Sequence, residues 1–350
     1  MAVDSITGCL LGTALGDALG LPYEGLSRRR ALRLLGRPDR FRFNFGHGMV
    51  SDDTEHTCMV AQALIASGGG VEVFRSDFAK RLRFWLLGLP AGVGLATLRS
   101  TIRLWLGYRP ERSGVFSAGN GPAMRASLLG AVVDDLPLLC ELVRASSLVT
   151  HRDPRAEHGA LAVAFATRLA RLHGVGASEI FRHEIKSVLS GPNDELLNHF
   201  DSVFASVDRR EGTLDYCDSI GLSRGVTGFV CHTVPVAIHA WMSHPTDFRS
   251  AVTSVIECGG DTDTTAAIVG GIVGAAVGRS GLPEEWLQRF GDWPRNVNWL
   301  EQLAEQLKSS ISSATPTTPI RLSAPKLVLR NSWFLALVLT HGFRRLLPPY

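Results

Sequence analysis

Apolar residues recur at three-to-four spacing along most of the chain, and few segments alternate as strands would. The spacing predicts helices over Ile6–Leu21, Asp53–Ala66, Val73–Leu87, Leu95–Leu106, Pro122–Val132, Pro137–Ser147 and Pro154–His173. It predicts others over Ser178–Ser190, Leu196–Val207, Val226–Ser243, Phe248–Cys258, Thr264–Arg279 and Pro283–Phe290, and near Trp299–Ser309. Glycine, proline and asparagine stand at the breaks. The expectation is an all-α fold, a single globular domain of many short helices rather than one long bundle.

Two segments carry a second pattern inside the first. Gly8, Gly12, Gly16 and Gly20 fall at every fourth position, and Gly270, Gly274 and Gly278 repeat the device late in the chain. Such a stripe lies on one helix face. Glycine costs helix stability, so the stripes need a tertiary benefit. Close backbone approach would supply one; plain packing of small residues is the simpler expectation. One stripe ends just before Glu24 and the other begins just after Asp263.

The helical pattern lapses at Ser309–Pro319, where serine, threonine and proline read as a linker. This divides the chain into a helical domain over 1–308, a linker over 309–326 and an apolar docking segment over 327–350. The last segment is too short to span a bilayer, so packing back on the domain is expected rather than membrane contact.

Composition narrows the class without choosing a function. The chain has 350 residues, 45% of them hydrophobic and 20% charged, as a globular protein with a sizeable core requires. A formal charge of +3 gives no reason to expect a nucleic-acid or membrane partner. Arg28-Arg29-Arg30 and Arg344-Arg345 read as solvated surface. The six cysteines form no CxxC pair, which argues against zinc and against a disulfide framework. Asp4 and Asp17 interrupt the apolar N-terminal run, which does not read as a signal peptide. A reducing cytoplasm and a monomer are the defaults.

Candidate chemistry enters with two acidic clusters more than two hundred residues apart. They are Ser51-Asp52-Asp53-Thr54 and Gly259-Gly260-Asp261-Thr262-Asp263-Thr264. Each places hydroxyls beside paired carboxylates and opens a helical run. Crowded carboxylates repel, so a fold that joins the clusters needs cations between them. A ligand set of oxygen alone favours a hard ion such as Mg²⁺.

Five motifs in order then resemble the ADP-ribosylglycohydrolases. These are Gly12-x3-Gly16-Asp17-Ala18-Leu19-Gly20-x3-Glu24, the first acidic cluster, Gly119-Asn120-Gly121-Pro122-Ala123-Met124-Arg125, Thr150-His151-x6-His158-Gly159-Ala160, and the second acidic cluster. The resemblance runs from about Ile6 to Leu307. It implies an all-α fold with a central cleft holding two Mg²⁺, with Mn²⁺ the alternative. It also implies cleavage of the bond between C1″ of ADP-ribose and an acceptor. Residue by residue, it makes Ser51, Asp52, Asp53, Asp261, Asp263 and Thr264 metal ligands. Glu24 matches a flexible-loop glutamate, and Glu24 with Asp53 are the catalytic candidates. Gly119, Asn120 and Gly121 match a loop that binds the diphosphate-ribose part, and His151 becomes a substrate contact. The implied partner is an ADP-ribosylated protein or an ADP-ribose-containing small molecule.

Charge counting points the same way. Five carboxylates in one cleft would force protonation unless cations offset them. One departure stands out: some relatives carry a catalytic aspartate where this chain has Ala91-Gly92-Val93-Gly94. Asp17 reads as a capping partner of the site and Arg125 as paired with a carboxylate. Free amides in the Asn120 turn would suit a diphosphate. Trp105 and Phe116 read as core, with stacking on adenine the other option. The competing functions are a hydrolase of free ADP-ribose esters or another nucleoside derivative, and a non-catalytic ADP-ribose-binding or structural relative.

Overall fold

The computed structural model describes residues 4–189 and 195–348. Among these residues eighteen α-helices form one domain. In chain order they are α1 (Ser5–Gly20), α2 (Arg28–Leu35), α3 (Asp52–Ser67), α4 (Val71–Trp85), α5 (Leu95–Trp105), α6 (Pro110–Ser113), α7 (Ser127–Val132), α8 (Leu136–Thr150) and α9 (Pro154–His173). Then come α10 (Ala177–Val188), α11 (Glu195–Asp208), α12 (Thr213–Ser219), α13 (Val230–Ser243), α14 (Phe248–Glu257), α15 (Thr262–Val277), α16 (Glu284–Gln288), α17 (Val297–Ser312) and α18 (Ala324–Arg344). Among the described residues the only β structure is isolated bridges, such as Val115 with His151, Gly119 with Phe229 and Val226 with Gly260. No helix among them is long and apolar enough to cross a membrane.

The helix positions follow the apolar spacing, with local exceptions. The predicted end at Ser190 lies outside the described residues. Pro122–Val132 is not one helix: a 3₁₀ turn at Ala123–Arg125 precedes α7. The predicted helix from Val226 begins only at Val230, because Val226 is held elsewhere. Its N–H donates to Gly259 O at 2.9 Å and its carbonyl accepts from Asp261 N at 2.8 Å. Trp105 and Phe116 are exposed rather than core, at 43% and 79%.

The centre of the fold is α1 against α15, and here the glycine stripes exceed the simpler expectation. A Cβ on Gly8 would lie 2.1 Å from Gly274 O, on Gly12 2.2 Å from Gly270 O and on Gly16 2.1 Å from Ala266 O. The helices run antiparallel with their backbones touching, the close approach familiar from small-xxx-small pairs. The consequence is positional. A Cβ on Gly20 would meet Thr262 O at 2.4 Å, and Thr262 Oγ1 donates to Gly20 O at 2.8 Å. The end of α1, which leads to Glu24, is thereby pinned to the start of α15, which carries the second acidic cluster.

Candidate active site

Helix α3 presents the first cluster through Asp17. This buried carboxylate, on the last turn of α1, accepts from Ser51 N at 2.9 and 3.0 Å, from Thr54 N at 3.1 Å and from Thr54 Oγ1 at 2.5 Å. It satisfies amides that a helix start leaves open and adds negative charge at the positive end of the dipole. Ser51 is the N-cap, its hydroxyl donating to Asp53 Oδ2 at 2.9 Å. The capping role expected of Asp17 is what the geometry gives.

The second cluster is aimed by Gly259 and Gly260, both at positive φ (72° and 83°). A Cβ on Gly260 would sit 1.9 Å from Val226 O, so only glycine fits this turn. Thr264 Oγ1 then donates to Asp53 Oδ2 at 3.3 Å, a direct bond between the two clusters. Oxygen atoms of Asp17, Asp53 and Asp263 all lie within 4.8 Å of one another. Asp53 Oδ1 is enclosed and has no hydrogen-bond donor in the protein. A buried polar atom without a partner is costly, and an all-oxygen set around it is the environment of a hard divalent cation.

Electrostatics carry the same strain. Burial pushes the Asp52, Asp53 and Asp263 carboxyls well above the usual carboxylate range, and neighbouring carboxylates add to it. Asp17 is raised to about 6, its burial only partly offset by Thr54 and Ser51. Glu24, at the mouth, is raised by burial and by Asp261, with Arg345 pulling the other way.

The Gly119-Asn120-Gly121 loop closes the opposite side. Asn120 Nδ2 donates to Asp261 Oδ2 at 2.7 Å and to Thr233 Oγ1 at 3.0 Å, which ties the loop to the second cluster. The expected free amides are fewer than three. Gly119 N donates to Ser117 Oγ at 3.3 Å and Asn120 N to Gly228 O at 3.0 Å. His151 packs under the loop, where a Cβ on Gly119 would be 3.0 Å from its Nε2. Burial, with Arg125 beside it, lowers the imidazole to about 3, so it stays neutral. Arg125 corrects the sequence expectation of a carboxylate partner. It donates to Gly121 O, Ser146 O, Ser146 Oγ and Thr150 Oγ1, and Thr150 Oγ1 in turn meets His151 Nδ1 at 2.9 Å. Its role is to brace the loop and the histidine.

All of these elements open on one cavity of about 590 Å³. Glu24, Ser51, Asp52, Asp53, Gly119, Asn120, Gly121, His151, Asp261, Asp263 and Thr264 all line it. The structure therefore brings together every site residue that the motifs nominated. Sequence reasoning missed Thr97, Thr227, Phe334 and Val338, which also line it. Thr227 could have been suspected from its place in the Val226–Gly228 turn; the two residues from α18 gave no signal at all.

With this geometry in hand, comparisons place the chain. A family model described as ADP-ribosylglycohydrolase matches residues 2–316. The chain belongs to the ADP-ribosylglycohydrolase family. An uncharacterized protein of Archaeoglobus fulgidus is 30% identical over 311 residues, covering 87% of this chain and 96% of that protein. ADP-ribosylhydrolase ARH3 of Mus musculus is 28% identical, covering 82% and 87%. The ADP-ribosyl-(dinitrogen reductase) glycohydrolase of Rhodospirillum rubrum is 26% identical, covering 82% and 90%. A solved ADP-ribosylglycohydrolase-related protein complex shares the fold with a TM-score of 0.63 at 24% identity, over 88% of this chain and 98% of its own. For an ADP-ribosylglycohydrolase, membership supports a hydrolase acting on ADP-ribosyl substrates. The match includes both acidic clusters and the Asn120 loop, and it ends before α18.

Proposed function

We propose that the chain is a metal-dependent hydrolase that cleaves the C1″ glycosidic bond between ADP-ribose and an acceptor, a protein side chain or a small molecule, and so reverses ADP-ribosylation. The observation that carries this reading is Asp53, which bonds to both acidic clusters through Oδ2 and turns an unpartnered Oδ1 into the same buried space. Ser51, Asp52, Asp53, Asp261, Asp263 and Thr264 would hold two divalent cations, Mg²⁺ or Mn²⁺. When bound, such ions template ribose hydroxyls and make water a better nucleophile.

The protein's own groups supply the rest. The Asn120 loop, supported from beneath by neutral His151, forms the wall against which the diphosphate-ribose part would lie. Glu24 stands at the mouth with its carboxyl raised by burial and by Asp261, a stronger base than an unperturbed carboxylate. Water adds to C1″ as the bond to the acceptor breaks; Glu24 takes the proton of the attacking water and passes it to the acceptor atom that leaves. Asp53 holds the charge of the site from behind. Six free cysteines suit a reducing cytoplasm.

Chromatographic release of ADP-ribose from ADP-ribosylated peptides, with Mg²⁺ and with chelator, tests this reading. Release should require the metal, and Glu24→Ala should lower kcat by about 100-fold or more while metal still binds. Binding of ADP-ribose with metal present but no turnover of any conjugate would favour the non-catalytic reading instead.

A further inference from the structure

Helix α18, which lies beyond the family match, holds to the domain largely by polar groups and shows its apolar residues to solvent. Buried Arg330 donates to Asp292 Oδ1 from Nε at 2.9 Å and Nη2 at 2.6 Å, to Glu55 Oε1 at 3.3 Å and to Val50 O at 2.5 Å. Asn331 Nδ2 donates to Gly88 O at 2.7 Å, and His341 Nε2 to Pro22 O at 2.8 Å. Phe334 is the one buried apolar side chain of the helix, packed with Leu21, Phe43 and Met49. On the opposite face Val328, Leu329, Leu335, Leu339 and Phe343 are exposed, with only Ser332, Ala336 and Thr340 between them. An amphipathic helix on a globular domain does the reverse and buries its apolar stripe. An open apolar face of this extent marks a contact surface.

The face continues onto a neighbouring turn. Trp333 Nε1 donates to Asn44 Oδ1 at 3.2 Å, and the next residue, Phe45, is 87% exposed. Asn44 and Phe45 both stand at positive φ, 42° and 56°, a backbone conformation that is costly for a bulky residue. The turn thus holds an aromatic ring out in solvent at a conformational cost.

Charge selects the occupant. No aspartate or glutamate occurs from Gln306 to Tyr350, while Lys326, Trp333 and Arg344 are whole numbers of helical turns apart and share one flank of α18. The segment over 25–47 meets α18 where Arg30 donates to Arg345 O and Phe43 packs on His341. It carries seven arginines and a single acid, Asp39, and Arg29, Arg33, Arg37 and Arg40 are exposed. An apolar helix face edged by tryptophan and basic residues suits the headgroup layer of an anionic bilayer, where a helix lies without spanning. Two copies joined along this face would set basic flanks together with no carboxylate on either helix, which charge opposes. We propose that the outer face of α18, with the Phe45 turn, is a docking surface for an anionic lipid bilayer. The apolar side chains enter the acyl boundary, and Lys326 and Arg344 meet lipid phosphates. The inner side of the same helix gives Phe334 and Val338 to the cavity wall, so docking seats α18 between bilayer and cleft. This surface is independent of the hydrolase reading.

Flotation of the full chain with vesicles of phosphatidylcholine, alone or with about 30% phosphatidylglycerol, tests the proposal. Binding to the anionic vesicles should be about tenfold or more tighter than to phosphatidylcholine and should fall in about 0.5 M NaCl. The double variant Leu339→Glu with Phe343→Glu should weaken it by about tenfold or more, and Arg344→Gln by about fivefold. Thermal melts matching the wild type establish that these surface variants are folded. No flotation with either vesicle, equal flotation with both, or binding that the double variant leaves unchanged overturns the proposal. A dimer in sedimentation velocity that the same double variant dissolves, without vesicle binding, assigns the face to a second copy and overturns it as well.

Discussion

Asp53 concentrates the behaviour of the site in one side chain. One oxygen is bonded to Ser51 and Thr264; the other is buried without a donor beside Asp17 and Asp263. Replacing it by asparagine keeps the shape, removes a charge and offers the neighbouring carboxylates an N–H. Asp53→Asn should therefore melt at a higher temperature than the metal-free wild type, while its affinity for Mg²⁺ falls by about tenfold or more. Calorimetry and thermal denaturation check the two halves. Single residues were unevenly legible. Asp17 declared its capping role because a carboxylate on a glycine-striped helix has little else to do. Arg125 did not, because its partners are carbonyls and hydroxyls from residues 121, 146 and 150, which no local spacing reveals.

At the scale of helices, α1 and α15 depend on bare backbone. A methyl group at Gly16 would lie 2.1 Å from Ala266 O, and neither helix can yield without moving the cluster it carries. Gly16→Ala should cost about 1–3 kcal/mol in urea denaturation and also weaken Mg²⁺ binding, because the acidic clusters separate. Helix α18 depends instead on a buried ion network of Arg330, Glu55, Asp292 and Arg295. Burial alone would raise the Glu55 carboxyl, but Arg295 and Arg330 outweigh it and hold it below its usual value. Arg330→Met leaves two buried carboxylates sharing Arg295, and should cost about 3–5 kcal/mol. Periodicity located most helices because amphipathic spacing survives folding. It failed at Val226 and at Ala123–Arg125, where the chain is recruited by distant partners to shape the cleft. The place of the tail in the cleft was not legible, since Phe334 and Val338 look like any apolar pair on a helix.

For the whole molecule, the cleft ties stability to pH and metal. The folded pKa values of Asp17, Asp52, Asp53 and Asp263 are raised, Asp17 to about 6. Such groups hold protons more tightly when folded, so their stabilising effect is present below the unfolded pKa and lost as pH rises through the folded one. Buried neutral His151 and His239, lowered to about 3 and about 4, act in the opposite sense, but only below the ordinary histidine value of 6.5. The metal-free chain should therefore melt at a lower temperature at pH 8 than at pH 6.5. Mg²⁺ should recover the loss, with a larger effect at pH 8 because cations displace protons. Scanning calorimetry at both pH values reads this directly. The convergence of positions near 52 and near 262 was legible only as a need for countercharge; the antiparallel glycine seam that satisfies it is a property of the assembled fold. The most direct test of the central claim is anomalous scattering from crystals soaked in Mn²⁺. Two peaks bounded by Ser51, Asp52, Asp53, Asp261, Asp263 and Thr264 are predicted, and both should weaken in Asp53→Asn. Soaked crystals with no anomalous density between these residues would contradict the account.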